Sequence, residues 1–287
     1  MISIHDRRMI IGLTIQKYKN FSPSLYTDIA RKAGIEHFEF DPSIFFDIYD
    51  IEKLKRLVVG KSVIIHAPYY TDWKYDLSSR SKEDKIEEFM KNLKQFGFEF
   101  GVKAIVVHPP VDPNADLHLY YQNIDRIPFP VYLENLPNQP WAVFENWFLG
   151  VQNHVKAKIG ICFDVPHSII ANGLSNAFEI PASLVSLINY IHISELDGSV
   201  DCHWPFFTPD GIFPRRKFVR FLKSMKYSGI INMEIRPVGK KGIINVIRSY
   251  FLMYRLLDFP KYLYKIIRFC VMFIPLAITA KKILKIL

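Results

Sequence analysis

Eight short apolar runs recur along this chain, each followed by a segment with a helical pattern, and that alternation limits the fold more than any other feature. The runs are residues 9–16, 37–40, 61–65, 104–107, 130–133, 158–163, 187–193 and 229–233. A helix over 22–32 is opened by Ser22 as N-cap and Pro23 at the first helical position. Another over 81–100 places Ile86, Phe89, Met90, Leu93 and Phe96 at helical spacing. Further helices are expected over 51–59, 117–124, 141–151, 216–226 and 243–257, with a helix end near 183–187. Strand alternating with helix implies a parallel sheet covered on both faces, which explains strands that are apolar nearly throughout. Eight such units in 287 residues, with no low-complexity segment or linker, imply closure into one (β/α)8 TIM barrel of the α/β class. The expected division is a barrel over 1–245, then its last helix and a basic, amphipathic extension over 246–287.

In such a barrel the active site lies at the C-terminal ends of the strands. Reading only those positions gives His66, His108, Glu134, Asp164 with His167, His192, Asp201 and His203 in the loop beyond it, and Glu234. Every one is a residue type that binds zinc, manganese or iron. Singly, each has a plain structural reading: a hydrogen-bonded core histidine at 192, an N-cap and first turn at 164 and 167, a barrel-end ion pair at 134 and 234. Together they would require six of the eight strands to place such residues at one end by chance. One zinc takes about four ligands, so nine side chains suit a cluster of two or three ions. No Ser–His–Asp or Cys–His arrangement competes with this set.

These strand ends carry a resemblance. His-Ala-Pro-Tyr at 66–69, Val-His-Pro at 107–109, Leu-Glu-Asn at 133–135, Phe-Asp-Val-Pro-His at 163–167 and Val-Asp-Cys-His at 200–203, followed by Gly211, resemble the endonuclease IV family of apurinic/apyrimidinic endonucleases. That family sits among the xylose isomerase-like TIM barrels, and the match covers about residues 9–240. The resemblance implies a trinuclear zinc site. His66, His108 and Glu134 would bind one ion; Glu134, bridging, with Asp164, His192 and Glu234 a second; His167, Asp201 and His203 a third. It implies metal-assisted phosphodiester hydrolysis, with abasic-site DNA or another phosphodiester as substrate and Glu134 and Glu234 at the catalytic centre. The sequence departs from the family after the second strand, where Phe38–Phe45 lacks the Asn and Arg used against DNA, and at Cys202, which stands where an Arg is usual. The alternative from the same superfamily is a one-metal sugar isomerase or epimerase. It would use Glu134, Asp164, His192 and Glu234, with the two glutamates transferring protons and His66, His108, Asp201 and His203 binding substrate hydroxyls. A third reading is a ligand-binding barrel without catalysis, which intact ligand positions weigh against.

Charge separates the chain into two parts. Eight Lys or Arg fall within 246–287 against one acid, Asp258, so +7 of the net +9 lies in the last 42 residues. The body is nearly neutral, with Lys61, Lys74, Arg80, Arg215 and Arg216 as candidates for local phosphate contacts. The longest uncharged run of the tail, 269–280, is broken by Pro275 and too short to span a bilayer. A basic aromatic segment of this kind is expected to dock on a membrane surface or a protein partner; the alternative is packing on the barrel. Three scattered cysteines and no signal-peptide pattern lead to the expectation of a cytoplasmic protein, peripheral at the membrane through its tail.

Overall fold

A computed structural model describes residues 9–17, 22–46, 48–237 and 242–283. Its eight strands are β1 (Ile10–Ile15), β2 (His37–Phe40), β3 (Ser62–His66), β4 (Val102–Val107), β5 (Val131–Glu134), β6 (Ile159–Asp164), β7 (Ile188–Ile193) and β8 (Ile230–Met233). All pair in parallel and in sequence order, and β8 closes on β1 through Ile11↔Ile231 and Leu13↔Met233. The helices between them are α1 (Pro23–Lys32), α2 (Ile48–Val58), α3 (Tyr70–Trp73), α4 (Glu83–Phe100), α5 (Leu117–Arg126), α6 (Trp141–His154), α7 (Val165–Asn176), α8 (Ala182–Val185), α9 (Arg215–Ser224) and α10 (Gly242–Leu257). A further helix, α11 (Phe259–Ile283), follows the barrel.

Local chemistry sets the helix ends. Ser22 accepts a hydrogen bond from the Leu25 amide, Asp116 from Leu119 and Asp164 from His167, so α1, α5 and α7 each start on a side-chain cap. The sequence reading found only the end of the segment after β6. The structure adds the full helix α7, which begins directly at Asp164 with Pro166 in its first turn. The short helix α3 was not expected either.

Two cores follow from the period of two along each strand. Outward residues such as Leu13, Phe38, Ile65, Leu133, Phe163 and Ile193 pack under the helices in one large apolar cluster. The inner apolar cluster is small: Ile64, Ala104, Val106, Cys162 and Tyr190. Tyr132 and Ile230 pack against it, and polar residues share the lumen. His37 bonds Ser62 and the Tyr190 hydroxyl, Thr14 donates to Glu39, and Asn232 donates to Thr14. Gly12 is required beside this network, because a Cβ there would lie 2.2 Å from the His37 ring. The same alternation turns His66, Glu134, Asp164 and His192 inward at the top of the lumen.

At the opposite end, α10 and α11 close the barrel. The Tyr250 hydroxyl and Lys265 Nζ both donate to the Gly34 carbonyl, at 2.6 and 2.7 Å, and Lys261 Nζ donates to the Met9 carbonyl. The tail thus packs on the barrel with one face, as one of the two sequence expectations held. Lys281 and Lys282 lie in α11, and Lys285 falls outside the described residues.

Candidate metal centre

All nine side chains singled out from the sequence meet at the C-terminal end of the barrel. His66, Glu134, Asp164 and His192 end or nearly end β3, β5, β6 and β7, and His108 and Glu234 directly follow β4 and β8. His167 lies in the first turn of α7, and Asp201 and His203 come from the β7–α9 loop. Seven of them, all but the fully buried Asp164 and His192, line one cavity of about 680 Å³, with Tyr69, Asp72 and Arg236 on its wall.

Three groups can be distinguished. In the first, His66 Nε2 and His108 Nε2 lie 3.2 and 3.1 Å from the same Glu134 oxygen. In the second, one ligand atom each from Glu134, Asp164, His192 and Glu234 all fall within 4.8 Å of one another. His192 Nδ1 is 3.2 Å from Glu134, 3.1 Å from Glu234 and 3.8 Å from Asp164. In the third, His167 Nε2 and His203 Nε2 share Asp201 Oδ2 at 3.2 and 2.9 Å. Glu134 belongs to the first two groups.

The other nitrogen of three of these histidines is already committed. His66 Nδ1–H donates to the Ala67 carbonyl at 2.7 Å, and His167 Nδ1–H to the Asn135 carbonyl at 2.8 Å. His192 Nε2–H donates to Glu39 at 2.7 Å, with both side chains fully buried. With a metal ion displacing the proton on its other nitrogen, an imidazole held this way would aim a lone pair into the site. Two further buried atoms, Asp201 Oδ1 and His203 Nδ1, have no hydrogen-bond partner among the described residues, and His203 takes the left-handed conformation at φ 48°. The donor set therefore fits a divalent cation: nitrogen and carboxylate ligands, buried and converging.

The electrostatics agree. Burial disfavours charge on every group here, yet the crowded carboxylates overcome it at four histidines. His66 is raised to about 9, mainly by Glu134, and His203 to about 9 by Glu234 and Asp201. His167 and His192 are raised well above the usual histidine range, and Glu134 is held well below the usual carboxylate range by His192 and His108. Burial, reinforced by Asp201 and Glu134, pushes Asp164 up to about 8, whereas His203 and His192 lower Glu234 to about 2. The cluster collects positive charge wherever it can, and a divalent ion is the stronger source of it.

Glu39 was missed in the sequence reading, which treated the second strand only as a departure from a DNA-binding pattern. A signal existed: in His37-Phe38-Glu39-Phe40 the polar residues share a parity, and that parity faces the lumen. Cys162 lies beside Glu134 and His192 in the lumen, within ligand distance of both, and burial raises its thiol well above the usual range. Cys202, in the same loop as Asp201 and His203, donates to the Val200 carbonyl. Arg236 is the one Lys or Arg on the cavity wall among the described residues, 3.8 Å from Asp72, which accepts from the Tyr69 hydroxyl.

Similar folds are found among solved structures. A D-tagatose 3-epimerase-like protein superposes with a TM-score of 0.64 at 17% identity, covering 88% of this chain and 98% of its own. A 3-keto-D-glucoside 4-epimerase from E. coli gives 0.60 at 18% identity, covering 86% and 100%. An AP endonuclease of family 2 from Brucella melitensis gives 0.62 at 15% identity, covering 85% and 98%. At these identities the likeness speaks to fold. A comparison with curated proteins finds no match. The family profile described as xylose isomerase-like TIM barrel matches residues 27–248, most of the barrel. The chain belongs to the xylose isomerase-like TIM barrel family.

Proposed function

We propose that this protein is a metal-dependent isomerase or epimerase acting on a small sugar or sugar derivative. The observation that carries the reading is the four-residue group Glu134, Asp164, His192 and Glu234, whose two glutamates line a cavity of about 680 Å³. That volume suits a single small molecule. Its wall mixes apolar contacts from Leu136, Pro137 and Ile170 with polar groups that can bond hydroxyls. The epimerases among the structural neighbours support the same direction.

A divalent ion held by the four residues would supply Lewis-acid polarisation of a substrate carbonyl or hydroxyl oxygen. The protein supplies the proton transfer. Glu134 and Glu234 are both held in the carboxylate form by the histidines around them, so either can accept a proton from carbon next to a carbonyl. They come from β5 and β8, on different walls, so one can withdraw the proton while the other returns one. Glu39 fixes the His192 ring from below, and Arg236 is available to an anionic substituent on the substrate.

A second reading, metal-assisted phosphodiester hydrolysis, is favoured by the additional groups: His66 and His108 on Glu134, and His167 and His203 on Asp201. Two or three ions, zinc with manganese or iron as alternatives, would there activate water and stabilise charge on a phosphate. Abasic-site DNA fits it less well than a small diester, since a duplex is held by phosphate neutralisation. Of the candidate cations, Arg80 is paired with Asp116, Arg215 with Glu195, and Lys61 precedes β3 at the far end of the barrel.

The deciding experiment joins metal stoichiometry with a substrate panel in D2O. Isomerase chemistry predicts one ion per chain, unchanged in His203→Ala, and deuterium entering an aldose or ketose beside its carbonyl in the wild type but not in Glu134→Gln. Two or three ions, falling by one in His203→Ala, with hydrolysis of bis(p-nitrophenyl) phosphate and no deuterium uptake, would replace it with the second reading.

A further inference from the structure

Among the described residues, one side of α11 up to Val271 is left without a partner. Its inner side is well seated: Phe269 packs edge-on against Phe251 with centroids 5.2 Å apart, and Lys265 is buried against Gly34 with the Tyr250 and Tyr254 rings around its ammonium. Its outer side carries Leu263, Tyr264, Ile267 and Val271, which are 44%, 63%, 63% and 68% exposed. Leu263, Ile267 and Val271 recur every fourth residue, so they form one stripe along the helix. A row of exposed apolar side chains of this size on a soluble surface marks a contact that is made.

Charge identifies what makes it. Arg268 is exposed on the same helix, Lys261 is half-buried, and Lys281, Lys282 and Lys285 follow in the sequence. The one acid of the segment, Asp258, is occupied in capping α11 by accepting from the Lys261 amide. An apolar stripe with basic residues and no free acid is complementary to an anionic lipid surface, where the stripe enters the headgroup boundary and each Lys or Arg adds attraction. Among the described residues no helix is long and apolar enough to cross a membrane.

We infer that the exposed face of α11 docks this protein on an anionic membrane surface. The position of α11 gives the inference a second part. Its contacts with Met9 and Gly34 lie at the N-terminal ends of β1 and β2, at the end of the barrel opposite the metal centre. Docking there leaves the cavity open to solvent, so the site takes a water-soluble substrate while the enzyme sits on the lipid. This holds whichever reaction the cavity performs.

The test uses the full-length protein and vesicles of phosphatidylcholine with or without about 30% phosphatidylglycerol. The expected result is binding to the anionic vesicles at least about tenfold stronger than to neutral ones, weakened by added salt. Ile267→Glu with Val271→Glu, both exposed positions, should lower that binding about tenfold or more while metal content and circular dichroism stay unchanged. Absence of binding to anionic vesicles, or equal binding to both kinds, overturns the inference. So does a dimer in vesicle-free solution that the same double substitution converts to monomer, because a second copy of the chain would then cover the face.

Discussion

The mouth of the barrel crowds nine histidines and carboxylates around one cavity. The far end buries a single lysine, Lys265, and satisfies it with a backbone carbonyl and two tyrosine rings. Both ends face the same problem, charge withdrawn from water, and solve it differently. Lys265 has a neutral acceptor at 2.7 Å and a carboxylate, Glu36, at 3.8 Å, so its partners all come from within the chain. At the mouth the carboxylates and imidazoles converge on one another, an arrangement that can take a cation from outside. Where the partners of a buried charge come from the chain itself, the fold is being held together; where ligand atoms converge on a shared point, the site is built to take an ion.

The largest effect that would sharpen this contrast is expected at Glu134, the residue common to two of the ligand groups. Glu134→Gln keeps the volume and removes the charge. We expect activity to fall by about 10²–10⁴-fold and bound metal to drop, while circular dichroism remains that of a folded barrel. Metal content equal to that of the wild type would break the assignment of the mouth as a cation site.

Next is Glu39, which does not line the mouth cavity and reaches the metal centre through His192. Glu39→Gln keeps the shape, but its amide places either oxygen or nitrogen against Nε2 and no longer fixes the ring through a charge. A loss of about 10–100-fold in metal affinity is expected, the usual size for a carboxylate behind a metal-binding histidine. A merely structural role would instead lower thermal stability and leave metal affinity of the folded protein untouched.

These two residues also mark what could be read from the chain alone. Glu134 was legible because a strand end is a position with a known destination, and glutamate there has few reasons to exist. Glu39 stands mid-strand, where its importance depends on which neighbour the closed lumen brings to it: His192, 153 residues away. The barrel itself was legible because each strand–helix unit announces itself locally. α7 was under-read because Pro166 and the left-handed Gly173, at φ 74°, interrupt its pattern. The far end was least legible. Gly34 meets Tyr250 and Lys265 across 216 and 231 residues, and nothing in the local sequence of the tail specifies that carbonyl.

A smaller effect is expected at Arg236, whose pairing with Asp72 is long and whose side chain is partly exposed. Arg236→Met should raise KM about tenfold for a substrate bearing a phosphate or carboxylate, since a charged hydrogen bond is worth roughly 1.5–3 kcal/mol and tenfold is about 1.4. KM for a neutral sugar should not move. An equal change for charged and neutral substrates would show that Arg236 shapes the wall rather than reads charge.

The smallest effect lies at the far end and concerns pH. Burial pushes Lys265 down to about 8 from 10.5, against the opposing pull of Glu36. The unfolded chain keeps this proton up to about pH 10.5, whereas the folded chain releases it near pH 8. Between those values the unfolded state binds more protons, so the contribution of this group to stability rises with pH across that window. Lys265→Met removes the titration. Urea unfolding of the two proteins from pH 7 to 10.5 should therefore show the wild type gaining on the variant as pH rises, with metal content equal throughout. A constant difference would mean that the ammonium is already as well solvated by the Gly34 carbonyl and the two rings as it is by water, and that the far end of the barrel contains no strained charge at all.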